Sequence, residues 1–190
     1  VGIDLARDRR PDVAAELKRA VHRFHVLAIR GQSLQLADFH AVRESLGPFS
    51  GNPVHESIPG YEDIMILNRE PDESGKVIGE DWHMDLAWLQ KPPGITMLYG
   101  EVVPPVGGDT CFTSLEWAYR SLSPGMKAMI AGFVAVHSGR GVLAQQYGSV
   151  KMRADAAKIA NFEVEHPLVC VDPATGRPYL FLSSVIDHFK

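Results

Sequence analysis

The constraint that most narrows the fold lies in the length of the apolar runs after residue 60. They are short and are cut apart by Gly, Pro and Asp. Ile64-Met65-Ile66-Leu67 is one such run, and residues 95–103 (ITMLYGEVV) are a second. Residues 109–114 (DTCFTS) follow a Gly107-Gly108 turn, and residues 133–137 (FVAVH) follow Gly132. Residues 167–171 (PLVCV) and 179–182 (YLFL) flank the turn sequence DPATGR. Runs of this length, rich in β-branched and aromatic residues and bounded by turn formers, read as strands rather than helices. The last pair reads as a hairpin.

The first third of the chain has a different texture. Val13, Leu17, Val21 and Phe24 fall on one face of a helix over residues 11–24. Residues 25–30 (HVLAIR) suit a strand that ends at Gly31. Leu36, Phe39, Val42 and Leu46 mark a second helix, closed by Gly47-Pro48. A helical insertion is expected after Ser114, and Ser123-Pro124 supplies a capping hydroxyl and a proline at the first helical position. Segments 70–82 and 138–163 are polar and Gly-rich and read as loops. Short strands with helices grouped at one end and inserted once predict an α+β, mainly β, chain built as an antiparallel double-sheet barrel or jelly roll.

Composition excludes several functions. Acidic residues number 23 and basic residues 19, for a net charge of −4, so there is no Lys/Arg surplus to release counterions from nucleic acid. No apolar run approaches a membrane span of about 18 residues. The 45% hydrophobic and 22% charged fractions argue against disorder. Cys111 and Cys170 sit in apolar runs outside any C-x-x-C pattern and read as buried thiols in a reducing, cytoplasmic compartment. The chain starts at Val1 and stops at Lys190 just after an apolar run. It is therefore expected to be a single domain, residues 1–190, and a fragment or the ordered portion of a longer protein. No G-x-S-x-G, P-loop or G-x-G-x-x-G sequence is present.

Two motifs carry chemistry. In His83-Met84-Asp85 an imidazole and a carboxylate stand two residues apart. Extended backbone puts such a pair on one side, where both can take adjacent positions on one metal ion. With a distant second His they would complete a 2-His-1-carboxylate facial triad on non-haem Fe(II), with positions left open for co-substrate and O₂. A His-x-Asp pair alone also arises by chance, as a surface or capping pair. In Gly107-Gly108-Asp109-Thr110 a tight turn precedes a hydroxyl that could bind a carboxylate, or simply opens a strand. Trp82, Trp88, Trp117 and Phe112 read as core. His137 and His166 read as satisfied core or edge histidines, and Asp187-His188 as a pair outside catalysis. A zinc hydrolase would need an H-E-x-x-H helix or a dense His cluster, and neither is present.

Taken in order, Arg30-Gly31-Gln32, Leu46-Gly47-Pro48, Trp82-His83-Met84-Asp85, Lys91-Pro92-Pro93, Gly107-Gly108-Asp109-Thr110, Ser121-Leu122-Ser123-Pro124, His166-Pro167-Leu168-Val169, Asp172-Pro173 and Thr175-Gly176-Arg177 resemble the TauD/TfdA family. These are Fe(II)/2-oxoglutarate-dependent dioxygenases. Residues 73–83 look most like the aryloxyalkanoate (phenoxypropionate) subgroup. The resemblance implies a double-stranded β-helix of the jelly-roll, cupin-like kind with flanking and inserted helices. It implies Fe(II) as cofactor and 2-oxoglutarate as co-substrate, with release of succinate and CO₂ as a small, anionic organic substrate is hydroxylated.

The resemblance also assigns residues. His83 and Asp85 match two iron ligands, and Thr110 matches a threonine that holds the distal carboxylate of 2-oxoglutarate. Asn52 and His55 match substrate-contacting positions, and Ile78 and Gly79 match a lid within residues 70–81. Taurine dioxygenase carries a His and a Tyr where this chain has Asn52 and His55, and the aryloxyalkanoate enzymes carry apolar residues. A substrate with a hydrogen-bonding group remote from the oxidised carbon is therefore expected. Asp85 is incompatible with a halogenase, in which a small residue replaces the carboxylate. The second iron-binding His and the 2-oxoglutarate-binding Arg are expected beyond Lys190. The expected partners are a small-molecule substrate and O₂, without nucleic acid or membrane, in a homo-oligomer. The alternative is a metal-free jelly-roll binding protein that has lost catalysis.

Overall fold

Pro11 opens the first helix because its missing N–H is one that a helix leaves unbonded there in any case. In a computed structural model, which describes residues 2–49, 51–74, 77–140, 151, 153 and 162–190, this helix is α1, Pro11–Phe24. Asp12 in its first turn and His22 and Arg23 in its last complement the helix dipole. The helix α2, Leu36–Leu46, starts with a capping box in which the Gln35 side chain and Asp38 satisfy each other's backbone N–H groups.

The chain divides into two units. The first comprises Val1–Pro48 and Ile95–Ser114. Its core is Leu5, Leu34 and Val42, with Leu17, Ile29, Phe39, Met97 and Tyr99 packed around them. The Tyr99 hydroxyl accepts the Leu34 N–H at 3.1 Å. Gln32 binds the N-terminal segment as a strand would: its side chain accepts from Leu5 N at 2.8 Å and donates to Ile3 O at 2.9 Å. The Arg30-Gly31-Gln32 sequence thus has a structural use of its own.

The second unit comprises Phe49–Gly94 and Leu115–Lys190. Helices α3 (Leu115–Ser121) and α4 (Pro124–Ile130) are followed by β1 (Val134–Ser138), β2 (Glu163–Pro167), β3 (Val169–Val171), β4 (Pro178–Leu180) and β5 (Ile186–Phe189). The Ser123 hydroxyl caps α4 by accepting from Met126 N. An antiparallel sheet runs in the order β2-β1-β5, and β3 pairs with β4. Strand β1 is central, and its residues from Ala135 to Ser138 are all buried, as a strand covered on both faces requires. The β3-β4 turn is built on Asp172. Its carboxylate accepts from Ala174 N and Thr175 Oγ1, and Gly176 takes the positive φ of 69° that closes it. Ile130, Leu168 and Leu180 form one core cluster and Val54 and Trp88 another.

The helices and the hairpin stand where the sequence places them. Four expected strands do not. Residues 25–30, 64–67, 95–103 and 109–114 form no ladder among the described residues. A strand is a pairing, and apolar alternation within one run does not supply the partner. Several side chains of these runs are exposed, among them Ile66, Leu67, Leu98, Val103 and Phe112. The segment read as a loop from 138 to 163 contains the ends of β1 and β2, and most of the rest of it lies outside the described residues. Strand β5 was not expected, because its sequence mixes Asp187 and His188 with apolar neighbours. Among the described residues no helix is long and apolar enough to cross a membrane. Both cysteines are free thiols, but Cys111 is exposed rather than buried.

Candidate metal centre

His83 and Asp85 stand on a short non-helical stretch just ahead of the turn from Asp85 to Trp88. The turn is anchored by Ala87 and Trp88, both buried, and by Leu89 N donating to Leu86 O. Ahead of it the pair is half-exposed, and His83 Nε2 lies 3.2 Å from Asp85 Oδ1. Two donors at right angles on an ion with bonds of about 2.1 Å lie about 3.0 Å apart. The observed separation is what adjacent ligands of one metal need.

The imidazole is also held in the correct tautomer. His83 Nδ1 is 2.7 Å from the carbonyl oxygen of Asp81. A carbonyl only accepts, so Nδ1 carries a hydrogen and Nε2 is the nitrogen turned toward Asp85. Metal-binding histidines are oriented by such a bond. Without a metal, the Asp85 hydrogen bond, helped by the Asp81 carbonyl, raises the His83 pKa to about 9 against the opposing effect of burial. A metal seated here would displace that proton.

Gly79 lies against the same edge. It has a φ of 82°, and a Cβ on it would sit 3.3 Å from His83 Cε1 and 4.0 Å from Nε2. Both the left-handed backbone and the close ring favour glycine at this position. Ile78 beside it is half-buried. Turns hold the described parts of residues 70–81: Glu73 N donates to Glu70 O, and Val77 N and the Glu80 carboxylate pair at 3.0 Å. Gly75 and Lys76, part of the expected lid, lie outside the described residues.

Asn52 has a local task. Its side-chain carbonyl accepts from Val54 N at 2.9 Å and His55 N at 3.2 Å, an Asx-type turn, and its amide nitrogen lies 3.6 Å from the Met65 sulfur. His55 is buried, which lowers its pKa. In the first unit, Thr110 is exposed and follows Gly107 (φ 83°) and Gly108 (φ 73°), two consecutive left-handed residues that account for the double glycine. The structure thus brings together His83, Asp85 and Gly79. The Asp81 carbonyl and the contact of Gly79 with the ring were not anticipated, although the offset of two residues between Asp81 and His83 hinted at the first. Among the described residues no third His, Cys, Asp or Glu joins the pair.

The aromatic and histidine expectations divide. Trp88 is core, whereas Trp82, Trp117 and Phe112 are exposed. Trp117 is instead covered by the Arg120 guanidinium, 4.4 Å from its ring centroid. Asp187 and His188 form a pair at 2.9 Å with both side chains about half exposed. His166 is satisfied, its Nε2 donating to Leu89 O at 3.0 Å. His137 is only half satisfied. It is fully buried against the His166 and Phe181 rings, its Nδ1 is 3.2 Å from Ala135 O, and its Nε2 has no partner among the described residues.

Burial first, and then the neighbouring His166, lower the His137 pKa. The folded state therefore disfavours the proton that the unfolded chain accepts below about 6.5. Stability from this group is present above that value and is lost as pH falls through the depressed folded value. Urea unfolding should show a decline from pH 7 to pH 5 that is shallower in His137→Gln than in wild type. Equal slopes would show that His137 does not carry the decline.

Residues 1–190 match the family described as Taurine catabolism dioxygenase TauD, TfdA family. An alkylsulfatase of Acinetobacter baylyi is 28% identical over 191 residues, covering 95% of this chain and 58% of that protein. An alpha-ketoglutarate-dependent 2,4-dichlorophenoxyacetate dioxygenase of Cupriavidus pinatubonensis is 28% identical over 206 residues, covering 99% of this chain and 70% of that protein. The crystal structure of AAD-2 in complex with Mn(II) and N-oxalylglycine superposes with a TM-score of 0.74 at 25% identity, over 100% of this chain and 67% of the other. The chain thus spans 58% to 70% of the length of these three proteins. On the match of its whole length, this chain belongs to the TauD/TfdA dioxygenase family.

Proposed function

We propose that the protein is an Fe(II)- and 2-oxoglutarate-dependent dioxygenase whose metal is held in part by His83 and Asp85. The observation that carries this reading is the convergence of His83 Nε2 and Asp85 Oδ1 at 3.2 Å, with the ring fixed by the Asp81 carbonyl. The names of the relatives add support: one is an alpha-ketoglutarate-dependent sulfate ester dioxygenase of Pseudomonas putida, 27% identical over 199 residues. In this reading the architecture is a double-stranded β-helix. A second His and an Arg for 2-oxoglutarate would complete the site.

When bound, iron and 2-oxoglutarate would supply the O₂ activation that hydroxylates a C–H bond and yields succinate and CO₂. The chain's own residues hold and orient. His83 presents a lone pair at Nε2 and keeps its proton at Nδ1, and Asp85 presents a carboxylate oxygen beside it. Two protein donors side by side would leave other positions on the ion open to the co-substrate. The Thr110 hydroxyl would donate to the distal carboxylate of 2-oxoglutarate. Gly79, by lacking a side chain, leaves room beside the imidazole. Ile78 and Gly79, with Asn52 and His55, belong to the substrate side, and the polar pair there favours a small anionic substrate with a remote hydrogen-bonding group. Within the family the subgroup is that of the aryloxyalkanoate enzymes.

The test is O₂-dependent succinate formation by the full-length protein with Fe(II), 2-oxoglutarate and a panel of phenoxypropionate-type and small polar anionic substrates. Substrate-stimulated succinate supports the reading, and none with any substrate at full iron loading contradicts it. Thr110→Ala should keep its iron and raise the KM for 2-oxoglutarate about five- to thirtyfold. That range corresponds to the ~1–2 kcal/mol of a hydrogen bond to a charged carboxylate. An unchanged KM would remove Thr110 from the co-substrate site.

A further inference from the structure

The stretch from His83 to Leu89 is fastened at two places by residues far along the chain. At its end the Leu89 carbonyl accepts from His166 Nε2, and Ala87 and Trp88 are buried. At its start the situation is different. Trp82, His83 and Asp85 are exposed, so packing alone does not fix the two donors.

Met84, the residue between the donors, meets Ser183 there. Its N–H donates to Ser183 Oγ at 3.3 Å, and the same hydroxyl lies 3.5 Å from the Met84 carbonyl oxygen as a donor. Ser183 follows β4 and is half-buried. A serine hydroxyl has one donor and two acceptor sites on a single rotor, so one side chain can engage both backbone groups of Met84. His83 and Asp85 leave the chain on either side of Met84, and rotating its peptide planes would change their 3.2 Å separation.

Resting on the dioxygenase reading above, we propose that Ser183 is a positioning residue that holds the Met84 backbone so that the His83 and Asp85 donors stay converged for the metal. Both contacts are long for hydrogen bonds, so removing the hydroxyl should leave the fold intact and loosen the pair. Groups that orient metal ligands in this indirect way typically contribute about 10- to 100-fold in metal affinity.

The experiment compares full-length wild type, Ser183→Ala and Ser183→Thr by anaerobic Mn(II) titration followed by electron paramagnetic resonance, and by amide exchange of Met84 in the metal-free proteins. Ser183→Ala should bind Mn(II) about tenfold or more weakly, with faster Met84 exchange and a thermal midpoint within a few degrees of wild type. Ser183→Thr keeps a hydroxyl and should stay within about threefold of wild type in affinity. Tight binding by wild type with no change in Ser183→Ala overturns the positioning role alone, as does a Thr variant as weak as Ala. Unchanged Met84 exchange in Ser183→Ala also overturns it, whatever the metal does. Failure of wild type to bind Mn(II) overturns the dioxygenase reading, and the metal role of Ser183 with it.

Discussion

His83→Ala should lose metal binding by more than about a hundredfold and reduce O₂-dependent succinate formation to background. Loss of a group that merely orients a ligand costs 10- to 100-fold, and His83 supplies a donor itself. The fold should survive the change. The ring is about 39% exposed, and its partners among the described residues are the Asp81 carbonyl and Asp85. Isothermal titration with Fe(II) under argon, run beside a thermal melt, separates the two effects. Normal iron content with retained turnover would remove His83 from the centre. A collapsed melt would instead make it a structural residue.

The second large effect contrasts two tryptophans on either side of the His83–Asp85 pair. Trp88→Ala should destabilise the protein by about 3–5 kcal/mol, and Trp82→Ala by no more than about 0.5 kcal/mol. Trp88 is 2% exposed and packs with Val54, Leu86, Leu89 and Val185, whereas Trp82 is 64% exposed. Deleting the first leaves a cavity beneath the turn that follows Asp85, and deleting the second removes little from water-free surroundings. Urea unfolding of the two variants gives the answer directly. Comparable losses would mean that Trp82 is covered in solution.

These two residues also show what can be read from a sequence of this kind. Pro11, Ser123-Pro124 and the Asp172–Arg177 turn declare themselves locally, because a missing N–H, a capping hydroxyl and a positive φ act within a few residues. The His83–Asp85 pair was legible for the same reason: its geometry spans three residues. Trp82 and Trp88 look alike in sequence, and only tertiary packing distinguishes them. The expected strands at 64–67 and 95–103 failed likewise, because pairing is a non-local property. His166 reaching Leu89 and Ser183 reaching Met84 join positions 77 and 99 residues apart, which no motif of neighbouring residues announces. The structural task of Gln32, bridging to Ile3 and Leu5, was hidden in the same way.

The central claim is that His83 and Asp85 together hold iron beside 2-oxoglutarate. Anaerobic titration of the full-length protein with Fe(II) and then 2-oxoglutarate, followed by visible absorption, tests it most directly, with Asp85→Ala and His83→Ala as companions. The account predicts a weak charge-transfer band that appears only when both are present in wild type and is missing in both variants. A wild type that takes up iron and 2-oxoglutarate without the band, or variants that show it undiminished, would contradict it.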